Sequence, residues 1–536
     1  MAQKEDKADR TMSIPTKDIL SWTFDNPQFD QDKKIYIDAV NPSRSITARE
    51  ARTLIRKMVA GLRAAGLQKE DCVYLHSFND IYYPIIFLSV IAADEVWTGT
   101  NPGYISFELE HHIKTSQASF IISELDLALF NNILRTAEMC NIPKKNIFIS
   151  DTKDTEKVPT GYKSTGFNDL GTCKTTTAAR LFSSGTTGLP KAALLSHYNL
   201  IAEHTVVHEA YPKLWEVKRL ICVPFFRAAS VSGVHTTPLR AGHVTYVMRR
   251  FELESYLQNL EKWEIPEISL VPPLVTATIM SPLSKKYSLK KAIYATCGAA
   301  PLDKEPQQQF LLLMHPDARF TQVWGMTEIT CVAMSFPWDE HDFLGSVGRL
   351  VPNMEAKLID HNGKDISQYD VRGELCVRVP LVIEGYFQNP QANVESFQNG
   401  WFHTGDIAYC EGASKKWYIV DRKKELIKVR GFQVAPSELE GVLLSHPHIA
   451  DAAVIGVPAS ASEGELLRAY VVRMPGPEAD KLDEKDVKNY GGKRLAKYKR
   501  LDGGVAFVDS IPRNASGKIL RRILREQARK GMRAKI

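Results

Sequence analysis

Short apolar runs alternate with stretches of helical period along most of the chain. DCVYLHS (71–77), ASFIISE (118–124), RLICVPF (219–225), HVTYVM (243–248) and EISLVPP (267–273) have strand length and strand residues. The segment 81–93 is apolar almost throughout and reads as a buried helix; at this length, and with Pro84 inside it, it is too short to span a bilayer. Strands alternating with helices predict an α/β fold: a large layered domain of parallel-rich sheets flanked by helices. The polar, turn-rich segment 151–166 predicts an exposed loop. No repeat of fixed period is present.

The texture changes near residue 421. VDRKKELIKVRGFQVAPSELE is charged and turns at Gly431 and Pro436. A helix is expected over 437–444, with Ser437 as its N-cap and acidic residues in its first turn. AAVIGVP and AYVVRM follow as two β-like runs. These features predict a domain boundary between about 420 and 425, with a first domain over 1–420 and a small α+β domain over 425–536.

Composition narrows the classes. The chain has 536 residues, 44% hydrophobic and 24% charged, as expected of a globular protein and not of a disordered or fibrous one. The opening MAQKEDKADR has no apolar run behind it, so no secretory signal is expected. Eight well-separated cysteines without a CxxC pair point to reduced thiols in an intracellular compartment, not to disulfides or zinc. From Asp421 onward the chain carries 24 Lys and Arg against 15 Asp and Glu, a net +9, whereas the first 420 residues carry −3. A basic module of this kind suits a nucleic acid, a membrane surface or a phosphorylated small ligand, or is merely a solvated face.

The segment 181–200, LFSSGTTGLPKAALLSHYNL, packs Ser183, Ser184, Gly185, Thr186, Thr187, Gly188 and Lys191 into nine positions. Glycines let successive N–H groups face one anion, hydroxyls add donors, and the lysine adds charge, a combination that can cradle phosphate. The Walker A spacing is absent. Alone, such a loop is more often a flexible turn. It has company: GAAPL (298–302), QVWGMTE (322–328), GWFHTGD (400–406), DRKKELIKVRGFQ (421–433), DAAVIGVP (451–458) and IPRNASGKILRR (511–522).

In this order and spacing the motifs resemble the adenylate-forming superfamily of acyl-CoA synthetases, luciferases and peptide-synthetase adenylation domains, and are most similar to its 4-coumarate–CoA ligase-like branch. The resemblance runs from about residue 30 to the C-terminus. It implies an ATP-dependent acid–CoA ligase for an aryl, arylalkyl or medium-length carboxylic acid, with ATP, Mg²⁺ and CoA. The acid attacks the α-phosphate to give acyl-AMP and pyrophosphate, and the CoA thiol then displaces AMP. The 183–188 loop and Lys191 would hold the β- and γ-phosphates. Trp324, Gly325, Met326 and Thr327 would flank the nucleotide, with Trp324 in the place of a usual tyrosine and able to stack on adenine. Glu328 would hold Mg²⁺. Asp406 and Arg422 would bind the ribose.

The resemblance also assigns Lys518 to the acyl carboxylate and α-phosphate during adenylation. The resemblance makes the small domain a mobile lid that turns on a hinge over 421–424, with Lys424 at the hinge position; Lys428 and Gln433 would face the site in one of two domain orientations, and Val429, Arg430, Gly431 and Phe432 would line the pantetheine channel in the other. Phe226, Arg227, Cys297, Gly298 and Val323 would form the acyl pocket. Departures from the family pattern fall at Ala192, usually glycine, at Arg227, often histidine, and at Val323, often glycine. The last two weigh against 4-coumarate itself, and the lack of an acidic partner weighs against an α-amino acid. The implied partners are the acid, ATP and CoA, with a carrier-protein pantetheine or a catalytically lapsed nucleotide-binding protein as alternatives; nucleic acid is not implied, and the chain is read as a monomer or homodimer. The end Ala534-Lys535-Ile536 resembles a peroxisomal address, with a cytoplasmic location as the alternative.

Overall fold

A computed structural model describes residues 6–150, 166–183, 190–423, 425–429, 432–458, 465–495, 497–513 and 517–533. The phosphate-loop residues Ser184, Gly185, Thr186, Thr187 and Gly188, together with Lys424, Arg430, Gly431, the loop 151–165 and the terminal tripeptide, lie outside the described residues.

Two open sheets of similar build make up the body of the first domain. One runs Ile147–Ser150, Ala118–Glu124, Cys72–His76, Val96–Gly99, Thr177–Ser183 and Lys191–Ser196. Its first five strands are parallel and the last is antiparallel. The other runs Arg319–Gln322, Tyr294–Cys297, Glu267–Leu270, Lys218–Ile221, Val244–Val247, Lys34–Asp38 and Ser45–Thr47, again parallel except at the last pairing. The five runs expected as strands all appear in these two sheets. The expected helix forms over Tyr83–Ala92, with Pro84 in its first turn, where the missing N–H has no intrahelical partner to lose. All ten of its residues are buried in the core shared by both sheets, so its apolar surface runs all round. A third, antiparallel sheet contains Glu355–Ile359, Gly373–Arg378, Trp401–Cys410 and Trp417–Arg422.

That third sheet ends at Arg422, and a separate apolar core begins at Ile427. In the small domain the strands Ile449–Pro458 and Glu465–Arg473 form a long antiparallel pair, with Val505–Phe507 parallel to the second. The buried Arg521 ties the helix Arg521–Arg533 to this core through Glu440 at 2.8 Å and Glu425 at 3.2 Å. The helix expected over 437–444 spans Pro436–Leu444, and its N-cap is Ala435, not Ser437. Pro436 takes the first helical position, where its fixed φ suits a helix start. This leaves Ser437 inside the helix, its hydroxyl donating to the Val420 carbonyl at 2.8 Å. All eight cysteines are free. Among the described residues no helix is long and apolar enough to cross a membrane.

Candidate active site

A cleft of about 680 Å³ opens over the C-terminal ends of the second sheet's strands, the usual position for ligands in open α/β sheets. Loops of the first domain form most of its wall, and Arg422, Arg513, Gly517 and Lys518 close it from the side of the small domain. Ala299 on the cleft wall has φ of +72° without being glycine.

Ser183 ends its strand facing Lys191 across a hairpin, and the phosphate-loop sequence is the connection between them. Ser183 is buried and lines the cleft. The Lys191 ammonium lies over the Tyr386 ring, 4.5 Å from its centroid, and the Tyr386 hydroxyl donates to Glu328 Oε1 at 2.8 Å. Burial, reinforced by the Glu328 carboxylate, pushes the Tyr386 hydroxyl far up from its ordinary pKa, so it remains a donor. Tyr386 was not visible as a site residue in the sequence. No group of three or more metal-binding side chains exists among the described residues. Glu328 on the cleft wall therefore fits an ion held by one carboxylate plus substrate phosphates and water, the usual mode for Mg²⁺.

Gly325 is required by packing: a Cβ there would lie 1.6 Å from the Cys331 carbonyl oxygen. Gly325, Met326 and Thr327 line the cleft. Trp324 departs from the expected stack. Its indole is 6% exposed and belongs to the apolar core behind the third sheet. Its N–H donates to Asp406 Oδ2 at 2.8 Å, and Arg422 Nε lies 2.7 Å from Asp406 Oδ1. The ring thus holds the expected ribose carboxylate from behind.

Lys518 reaches the cleft because Gly517, with φ of +82°, lies flat on Pro273 of the first domain; a Cβ would sit 2.5 Å from that ring. Arg513, also unforeseen, donates to the Gly517 carbonyl at 2.7 Å and pairs with Asp451 at 2.7 Å, fixing this turn. Burial, with Arg422 nearby, lowers the Lys518 pKa. Lys428 pairs with Gln433, and Val429 with Phe432, in a two-stranded hairpin of the small domain. The Val429 side chain is buried in that domain's core.

Phe226, Arg227, Gly298 and Val323 line the cleft as expected. A Cβ on Gly298 would lie 2.9 Å from Val323 Cγ2, so these two residues form a throat. Cys297 is a correction. It is 1% exposed in the core beneath the sheet, because strand side chains alternate and the cleft face carries Tyr294, Thr296 and Gly298 instead. The Arg227 guanidinium lies over the Phe226 ring, 5.1 Å from its centroid, and its buried Nε has no hydrogen-bond partner. Desolvation lowers its pKa, partly opposed by Tyr104. No carboxylate among the described residues pairs with it.

The cleft thus brings together Ser183, Glu328, Arg422 and Lys518, with Asp406 bonded to Arg422 behind its wall. Residues 25–387 match the AMP-binding enzyme family, and residues 438–518 match the AMP-binding enzyme C-terminal domain. The chain is 49% identical to a phenylacetyl-CoA ligase of Aspergillus niger, covering 96% of this chain and 98% of that one. It is 48% identical to an acyl-CoA ligase of the same species, over 96% and 99% of the two chains. Among solved structures it is similar to ATP-bound MatB from Rhodopseudomonas palustris, with a TM-score of 0.84, 25% identity, and 96% and 99% of the chains covered. The chain belongs to the AMP-binding enzyme family and is an adenylate-forming acid–CoA ligase that uses ATP, Mg²⁺ and CoA.

Proposed function

We propose that the enzyme activates an arylalkyl or medium-length carboxylic acid in two half-reactions served by one cleft. The observation that carries this reading is the apolar part of the cleft wall, where Ile221, Val223, Val271, Val207 and Phe336 leave room for a ring or a chain. The name of the phenylacetyl-CoA ligase relative agrees with such an acid.

A carboxylate is a poor acyl donor because oxide is a poor leaving group. The acid's oxygen attacks the α-phosphorus of ATP, the bond to the β-phosphate oxygen breaks, and pyrophosphate leaves. Lys518 offsets the negative charge that develops at the α-phosphate and the attacking carboxylate. Glu328 would hold Mg²⁺, which when bound would supply charge neutralisation to the phosphates. Asp406, held by Trp324 and Arg422, takes the ribose hydroxyls and fixes the nucleotide's register. Arg227, a cation on the cleft wall with no counter-ion among the described residues, awaits the reacting carboxylate or a phosphate. In the second step the CoA thiolate attacks the acyl carbonyl and AMP departs. The lid then has to turn about residues 421–424 to withdraw Lys518 and admit the thiol.

The test is pyrophosphate release with CoA across phenylacetate, medium-chain, short-chain and long-chain acids. Phenylacetate and the medium-chain acids should exceed acetate and palmitate in kcat/KM by at least about tenfold, the order of difference that pocket filling produces. Equal rates across the panel would overturn this reading.

A further inference from the structure

The far end of the same cleft is not apolar. The strands Lys218–Ile221, Glu267–Leu270 and Tyr294–Cys297 lie side by side, with Arg219 opposite Glu267 and Glu267 opposite Tyr294. Alternate residues face the cleft: Tyr294, Thr296 and Gly298 on one strand, Glu267, Ser269 and Val271 on the next. The throat is therefore four residues from the Arg219–Glu267–Tyr294 row, about 13 Å along the sheet, which an extended acid of roughly eight to ten carbons spans.

This row is a built polar floor. Arg219 donates to Glu267 Oε1 from Nε at 2.9 Å and from a terminal nitrogen at 2.6 Å, and Glu267 Oε2 is buried without a partner. Lys213 sits over Tyr294, its ammonium 3.9 Å from the ring centroid, and makes no ion pair with a described residue. His208 projects from His204–Glu209, a π-helical turn of the kind often found at functional sites, and lines the same end. Glu203 adds a buried carboxyl whose Oε1 accepts from the Val332 N–H at 2.9 Å, while its Oε2 has no partner. Burial raises the Glu203 pKa to about 8 and keeps His208 neutral. On the lining at this end the basic side chains Lys213 and Arg219 outnumber the Glu267 carboxyl, while Asp339, which also acts on Lys213, is off the lining. A purely hydrocarbon tail would bury these groups with nothing to bond, which is the arrangement that rejects such a tail.

The geometry points to an acid substrate with a second oxygen-bearing polar group, a carboxylate in preference to a hydroxyl, at its far end, held by Lys213 and His208 above the Arg219–Glu267 row. This rests on the acid-class reading above and sharpens it. Wild type and Lys213→Met are to be compared on phenylacetate, nonanoate, hydroxynonanoate with its hydroxyl on the terminal carbon, and nonanedioate, by pyrophosphate release with CoA, with the KM for ATP measured alongside. Nonanedioate should exceed nonanoate in kcat/KM by at least about tenfold, with hydroxynonanoate between them. Lys213→Met should erase most of that gap while moving the KM for ATP and the nonanoate rate less than about threefold. His208→Leu provides an independent check on the hydroxyl acid, whose advantage it should reduce. Turnover of phenylacetate with no advantage for the two remote-polar acids would overturn this inference alone. A gap that survives both substitutions would overturn it as well. Failure of all four acids to release pyrophosphate would overturn both readings.

Discussion

The nucleotide end and the acyl end of the cleft are assembled in opposite ways. The nucleotide end draws on contiguous motifs at loops and strand ends, and completes itself only when Gly517 is seated on Pro273. The acyl end is made of single residues on neighbouring strands, rigid within one domain and sorted by the two-residue period of the sheet. The chemistry proposed for every acid thus sits on loops and on the small domain, whereas the proposed selectivity sits on strands of the first domain.

The comparison breaks first at Lys518. Lys518→Ala should slow acyl-AMP formation by about 10²- to 10³-fold, as the loss of one preorganised donor does, while thioester formation from supplied acyl-AMP stays near wild type. Equal losses in both steps would put the lysine in a fixed site, not an alternating one. Trp324→Phe keeps the core filled but removes the N–H held by Asp406. It should raise the KM for ATP by about tenfold, the cost of a hydrogen bond to a charged group, with the ranking of acids unchanged.

The acyl end should carry its own pH signature. Burial, with Arg219 nearby, lowers the Lys213 pKa to about 8, against the opposing pull of Glu267 and Asp339. Lys213 is therefore a cation below that pH and neutral above it, whereas Glu203 becomes an anion over the same range. Both changes make the floor more negative, with Arg219, Glu267 and Tyr294 facing it throughout. For an acid with a remote carboxylate, kcat/KM should fall by up to about tenfold between pH 7 and pH 9, and for nonanoate it should fall less. Parallel profiles for the two acids would remove Lys213 from recognition.

Smaller effects sharpen the boundary between the two ends. Arg227→His should raise the KM for the acid by about fivefold, as expected for a weakened charge-assisted bond, with the KM for ATP moving less. An unchanged acid profile in a folded variant would make Arg227 structural. Cys297→Ala should leave the acid profile within about twofold while lowering stability by about 1–2 kcal/mol, because its sulfur packs beneath the sheet.

These contrasts also mark how far the sequence could be read. Lys191, Glu328, Asp406, Arg422 and Lys518 stood out because each sits inside a run of diagnostic neighbours. Lys213, Arg219 and Glu267 have no such neighbours: each is one charged residue at the edge of an apolar run, and only strand pairing shows that the latter two meet. Cys297 was assigned to the wrong face because its position relative to Gly298 is fixed by alternation, which a motif does not display. Ser437 looked like a cap until Pro436 took the first turn, and Trp324 looked like a stacking platform until its N–H was found on Asp406. Arg513 and Tyr386 act through partners far along the chain, and no local pattern announces such partners.

The Gly298–Val323 throat constrains how this enzyme can change its diet over generations. A methyl added at 298 meets Val323 at 2.9 Å, so position 298 cannot gain a side chain while Val323 stays as it is. Widening has to begin at Val323, and any later side chain at 298 is admissible only on that background. The order of substitutions is then part of the protein's history: a lineage that enlarges 298 first meets a steric dead end, while one that trims 323 first gains access to new acids and a second permissive site.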